Sequence, residues 1–247
     1  MWYIALGLGY HAGLLSLAAH KGSNEDEMIA HCRAVADRIP LVGFYLQPAV
    51  GGVLLSTKFW HRFAAIDNII AIKVAPFHRY RTLDVMRGVV AAEAENRISL
   101  YTGNDDHIFL DLLTPYALKR GEEEVVLRFK GGLLGHWSVW VKPAVDYLAR
   151  AHGAIAAGKI DMNLLQLDSQ ITDANGALFD VANDFAGCIA GCHEVLRRQG
   201  LMRGTWCLNP DEKLSPGQSA ELDRVIAHYP HLCDDDFVIE NLELWLG

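Results

Sequence analysis

Five short, unbroken apolar runs set the limits on what this chain can fold into: Tyr3–Leu8, Leu41–Leu46, Ile69–Val74, Ile98–Tyr101 and His136–Val141. They are continuous rather than alternating, the pattern of strands buried on both faces of a parallel sheet. Glycine or proline breaks and amphipathic stretches separate them. Met28, Ile29, Cys32, Val35, Ala36 and Ile39 recur on one helical face, with Ser23 as N-cap. Ser56 and Thr82 stand where caps are expected for helices over Phe59–Ile66 and Val85–Ala94. Repeated strand–helix units predict right-handed crossovers and an α/β fold. Residues 121–130 (GEEEVVLRFK) break the rhythm and predict an extra edge strand or hairpin before the last strand. After Lys142-Pro143 the spacing predicts helices over Ala144–Gly158, Met162–Ile171, Ala177–Gln199 and Pro216–His228, the last capped by Ser215. The expected division is an α/β domain over 1–143 and a helical region over 144–247.

Composition narrows the function classes. The 247 residues hold 22 Lys+Arg against 30 Asp+Glu, a formal charge of −8, with no basic stripe. Neutralising a phosphate backbone needs clustered cations, so a nucleic-acid partner is not expected. The acidic runs Glu122–Glu124 and Asp234–Asp236 read as solvated faces or helix caps. Five cysteines, an odd number with no CxxC pair, suit reduced thiols in a cytoplasmic protein. Residues 2–19 are mostly apolar, but no Lys or Arg precedes them, and Gly7, Gly9, Tyr10, His11 and Gly13 interrupt them. They read as a strand, a turn and a short helix rather than a leader, and no membrane span is expected.

Three strand ends carry chemistry. Lys73 lies five residues into Ile69-Ile-Ala-Ile-Lys-Val-Ala-Pro76. A lysine there is costly unless its ammonium finds partners or it sits neutral, and a desolvated amine is the group that forms a Schiff base with a carbonyl. The alternative is a strand-end lysine reaching solvent or pairing with Asp105 or Asp106. Tyr45, in Gly43-Phe-Tyr-Leu-Gln-Pro-Ala-Val-Gly-Gly52, stands 28 residues before Lys73, about one strand–helix–strand unit. A phenol beside the amine can shuttle protons; otherwise it is a core tyrosine with a bonded hydroxyl. Leu100-Tyr-Thr-Gly-Asn-Asp-Asp106 ends the next strand, its glycine allowing close backbone approach and its acids able to position a lysine, cap a helix or bind metal.

The succession FYLQP, AIKVAP and LYTGNDD resembles the class I aldolases of the dihydrodipicolinate synthase and N-acetylneuraminate lyase superfamily, whose corresponding strands end in Tyr-x-x-Pro, Lys and Gly-Asp-Asp. The resemblance implies a (β/α)8 TIM barrel, of which this chain holds the last five strands, with a C-terminal helical extension. It implies a lyase that makes or cleaves a C–C bond next to an α-keto acid such as pyruvate, with an aldehyde as second partner. Lys73 would form the Schiff base and Tyr45 would act as general acid/base. Gly103 would line the keto-acid pocket, Trp137 would face the imine, and Tyr10 would end a strand beside the substrate. It implies no metal and no other cofactor, and a homo-oligomer.

Two departures stand out. The family's first three strands, including a Gly-Thr-Thr-type turn that holds the substrate carboxylate, have no counterpart. Five residues past Tyr45, where the synthase branch places an arginine, stands Val50, with Arg79 and Arg81 as substitutes. Two rival expectations follow. One is a metal-dependent barrel hydrolase using Asp105, Asp106, His107 and His11 with a carboxylated Lys73. The other is a non-catalytic remnant of the aldolase family. Cys188-x-x-x-Cys192-His193 reads as buried thiols before a metal pair. There is no HExxH, Walker loop or GxSxG.

Overall fold

The computed structural model describes residues 2–247, and the burial of side chains from residue 4 onward. The chain divides into two compact units: Met1–Asn104 with Thr114–Leu133, and Asp105–Leu113 with Leu134–Gly247. In chain order the elements are α1 (Trp2–Gly7), β1 (Gly13–Ser16), α2 (Glu25–Ala36), β2 (Leu41–Leu46), α3 (Thr57–Ala64), β3 (Ile69–Ala75), α4 (Arg79–Ala91), β4 (Ser99–Thr102), α5 (Ile108–Leu113), β5 (Tyr116–Arg120), β6 (Glu123–Leu127) and β7 (Phe129–Gly132). There follow α6 (Val141–Ala157), α7 (Met162–Leu178), α8 (Cys188–Arg198), α9 (Gln218–His228) and α10 (Asp235–Leu246).

The first unit is an α/β layer. Its five-stranded sheet runs β1-β2-β3-β4-β7, every neighbouring pair parallel, with β1 and β7 at the edges. Helix α3 covers one face. A Cβ on Gly43 would come within 2.7 Å of the Phe63 ring, so β2 needs a glycine where α3 rests on it. Phe59, Trp60 and Phe63 are buried on α3 and meet edge to face or stacked at 5.3–6.0 Å. Gly88 on α4 leaves room for α3: its Cβ would sit 2.4 Å from that of Trp60. Arg97 closes the layer, its guanidinium donating to the carbonyls of Ala64, Ile66, Asp67 and Ile69. Residues 121–130, expected to form an extra edge strand or hairpin, hold β6 and the start of β7; β6 pairs antiparallel with β5 before it through a turn at Gly121 with φ +61°.

The second unit is helical, with α5 packed on α6 and α7, and α7 on α9. Asp168 of α7 accepts the Leu110 N–H at the start of α5, and Asn175 accepts the His136 N–H.

Several local expectations are corrected. The first apolar run is a helix, α1, and the first strand is instead the four residues Gly13–Ser16, too short to carry a period. Only one β-branched residue, Ile4, stands in the α1 run, so nothing favours a strand there. The last parallel strand is Phe129–Gly132, not His136–Val141, which forms a 3-10 turn over Gly135–Ser138 and the entry to α6. A lysine and two glycines hid that strand. Helix α2 is capped by Asn24 rather than Ser23, in a box with Glu27. Ser56 caps α3 as expected. Thr82 lies inside α4, where its hydroxyl accepts from Asn104.

The helix expected over Ala177–Gln199 breaks after α7. Asp180 and Asp184 take left-handed conformations there. The Asp180 carboxylate accepts from Asn183 Nδ2, the Gly187 N–H and the Ser215 hydroxyl. A short acidic side chain with local donors outcompetes helix continuation. Ser215 is therefore spent on Asp180, and Gly217 precedes α9. Asp234 is buried and accepts from the Lys142 N–H and Gln199 Nε2, while Asp235 and Asp236 open a further helix, α10.

Candidate active site

Lys73 is the fifth residue of β3, the middle strand of the sheet, and is half-buried. Pairing places it in a row with Ser16 of β1, Phe44 of β2, Tyr101 of β4 and Gly131 of β7. Parallel neighbours in register share a face, and this row lies on the face opposite α3. Phe44, Lys73 and Tyr101 are only partly buried, and Leu14, one pleat earlier on β1, is half exposed. The Lys73 ammonium lies 4.4 Å from the centre of the Phe44 ring, a cation–π contact that steadies its charged form. Gly103 follows β4 at the same end: a Cβ there would come 2.6 Å from Ala75 and 3.0 Å from Lys73 Cε. The lysine stem and Gly103 therefore occupy one place, and a side chain at 103 would push the amine aside.

Tyr45 is not in that row. The offset between β2 and β3 is 28 residues at Leu41↔Ile69 and 29 from Val42↔Ala71 onward, because Ile70 is an extra residue. One inserted residue turns every later side chain of the partner to the other face. Tyr45 pairs with Val74, packs 5.1 Å from Trp60 of α3 and is fully buried. Its hydroxyl donates to the Leu55 carbonyl at 3.3 Å and stands 3.4 Å from the Leu55 N–H. Tyr45 thus takes the core role that was the alternative from the sequence.

Tyr10 lies on the turn before β1, at the amino ends of the strands and largely exposed, whereas Lys73 and Gly103 lie toward the carboxyl ends. Trp137 belongs to the second unit, on the turn Gly135–Ser138, and its buried indole N–H has no acceptor among the described residues. Asn104, not singled out from the sequence, is buried and pins the strand-end loops. Its Oδ1 accepts the Phe77 N–H, where φ is +47°, and its Nδ2 donates to Thr82. Val50 is exposed, and Arg79 donates to the Tyr116 hydroxyl.

The groups proposed for a metal fare differently. His107 stands 3.4 Å from the Asp168 carboxylate, His11 is an exposed residue of the other unit, and no group of three or more His, Cys, Asp or Glu suited to an ion occurs among the described residues. Burial, with Cys192 adding to it, pushes the Cys188 thiol up to about 12, so it stays protonated at neutral pH. His193 Nδ1 lies 3.0 Å from the Trp206 carbonyl. No helix of the described residues is long and apolar enough to cross a membrane.

The sequence matches no family profile and no curated protein. Solved structures match it throughout. A dihydrodipicolinate synthase superposes with a TM-score of 0.70 at 17% identity, covering 93% of this chain and 70% of its own. The fold is similar to that of dihydrodipicolinate synthase over about 70% of that protein's length. The Acinetobacter baumannii synthase, solved with pyruvate, gives 0.67 at 20% identity over 91% of this chain and 68% of its own. The Cyanidioschyzon merolae synthase, solved with lysine, gives 0.69 at 18% identity over 93% and 69%.

Proposed function

We propose that this protein is a class I aldolase-type lyase that binds an α-keto acid such as pyruvate as a Schiff base on Lys73. The observation that carries this reading is the position of Lys73: on the middle strand of a parallel sheet, toward its carboxyl end, on the face away from α3, in a synthase-like fold. Active sites of parallel α/β folds form at that end of the strands. The five strands are read as part of a (β/α)8-type barrel, with α6–α10 as its helical extension.

In the reaction, neutral Lys73 Nζ attacks the keto carbon and the carbonyl electron pair moves to oxygen. Proton transfer from nitrogen to oxygen gives a carbinolamine. A proton added to the carbinolamine hydroxyl lets it leave as water while the nitrogen lone pair closes the C=N bond, and the resulting protonated imine serves as electron sink for making or breaking the adjacent C–C bond. Neither a metal nor another cofactor is needed for these steps. An aldehyde is the expected second partner in the C–C step. Gly103 keeps the space beside the lysine stem open. The open sheet edges and the partly bare face suit a homo-oligomer, and the reduced thiols suit a cytoplasmic setting.

The test is borohydride reduction with pyruvate, read by intact mass and peptide mapping. The expected result is one reduced adduct, on Lys73, absent from Lys73→Ala. Folded protein that gives no adduct, or an adduct on another lysine, overturns the reading.

A further inference from the structure

Resting on the Schiff-base reading, we propose that Asn104 is a positioning residue of this site: by fixing Phe77 at a positive φ it holds the end of β3, and with it the Lys73 stem. The need for such a residue starts at Pro76. The parallel ladder of β3 and β4 runs on past Val74↔Thr102 to a bond from the Gly103 N–H to the Val74 carbonyl at 2.7 Å. The next rung of a parallel ladder would be an N–H of residue 76 donating to the Gly103 carbonyl, and proline has none. Asn104 supplies a substitute from its side chain. It is 1% exposed, its Oδ1 accepts the Phe77 N–H at 3.1 Å, and its Nδ2 donates to the Thr82 hydroxyl at 3.2 Å. Its own N–H donates to the Thr102 hydroxyl, which ties the amide back to β4.

Phe77 stands at φ +47°, a conformation that a bulky residue keeps only where its surroundings impose it. The bond to Asn104 imposes it. Between the two clasps, Gly103 to Val74 and Phe77 to Asn104, lies the contact with the lysine. A Cβ on Gly103 would come 2.6 Å from Ala75 Cβ and 3.0 Å from Lys73 Cε. Gly103 thus bears on the stem whose ammonium rests over Phe44. Opening the outer clasp lets Phe77 return to an ordinary backbone conformation, and the end of β3 then moves off Gly103 and frees the stem. Misplacing a reacting atom by about 1 Å costs up to about 100-fold in rate. The role is one of position alone: Asn104 gives and takes no proton.

The experiment follows borohydride trapping of pyruvate on Lys73, by peptide mapping and per folded molecule, together with the melting temperature. It compares wild type, Asn104→Ala, Thr82→Val, Phe77→Gly and the double variant Asn104→Ala/Phe77→Gly. Glycine takes a positive φ without help, so it replaces the constraint without replacing the hydrogen bond. Asn104→Ala is expected to trap about 10-fold more slowly and to melt earlier. Thr82→Val removes the other partner of the same amide; it is expected to melt earlier with trapping changed less than about twofold. Phe77→Gly alone is expected to trap as wild type does. The double variant is expected to recover most of the rate that Asn104→Ala loses while its melting temperature stays low. An asparagine serving stability alone would lower the melting temperature in both Asn104→Ala and Thr82→Val and leave trapping per folded molecule unchanged. If Asn104→Ala does not fold, Asn104→Ser, whose shorter side chain does not reach Phe77, takes its place with the same expectations. A folded Asn104 variant that traps at the wild-type rate, or a double variant as slow as the single one, overturns the proposal and leaves the Lys73 imine standing. A wild type with no adduct overturns the imine reading itself, and the role of Asn104 with it.

Discussion

The Lys73 ammonium rests on the Phe44 ring at 4.4 Å. That contact favours the cation, whereas nucleophilic attack needs the neutral amine. A partly exposed cation–π pair contributes on the order of 0.5–1 kcal/mol. Replacing Phe44 with Leu removes the ring quadrupole but keeps an apolar neighbour. Trapping of Lys73 near neutral pH is therefore expected to be faster in Phe44→Leu than in wild type. An unchanged trapping rate would mean that the ring does not govern the amine. At this scale Lys73 was legible from the sequence because a charged residue inside an apolar run is costly enough to need a reason. Tyr45 was not, because its distance from Lys73 along the chain has the right length whichever face it takes. A single extra residue at Ile70 settles the face.

Between elements, Arg97 does what no local pattern announces. Its exposed guanidinium joins the turn before β4 to the end of α3 and the start of β3 by bonding four backbone carbonyls. Hydrogen bonds from charged donors contribute more than neutral ones, and their loss leaves carbonyls underused. Arg97→Met, which keeps most of the stem, is expected to destabilise the protein by about 2 kcal/mol, read as a lowered urea midpoint at unchanged slope. A midpoint equal to wild type would assign those carbonyls to water. Strands β2, β3 and β4 were legible as elements because each is a continuous apolar run buried under α3 or its neighbours. Strand β7 was not: Gly131 is there to admit the Tyr101 ring, and glycine erases the apolar signal that marks a strand. The α1 run failed in the opposite sense, since an apolar segment of six residues fits a helix or a strand equally well.

Across the molecule, pH acts on a buried base in the helical unit. His136 is fully enclosed, and burial pulls its pKa down to about 4. The unfolded chain binds that proton near pH 6.5, so between the two values the unfolded state holds more protons than the folded one. The stability it confers is complete above about pH 6.5 and falls as pH drops toward 4. By about pH 5 the loss amounts to about 2 kcal/mol. The difference in denaturation free energy between wild type and His136→Phe is expected to shrink by about that amount between pH 7.5 and pH 5; a pH-independent difference would assign the acid sensitivity to other groups.

What the amino-acid order determined without help was the α/β class, the parallel strands β2 to β4, the helical C-terminal region and the lysine that draws attention among them. These follow from local chemistry: apolar periodicity, breaks at glycine and proline, and the cost of burying a charge. Only the tertiary structure decided which faces those strands turn to one another. Register depends on contacts between residues far apart in the chain, and one inserted residue, Ile70, turns Tyr45 into the core while leaving Tyr101 beside Lys73.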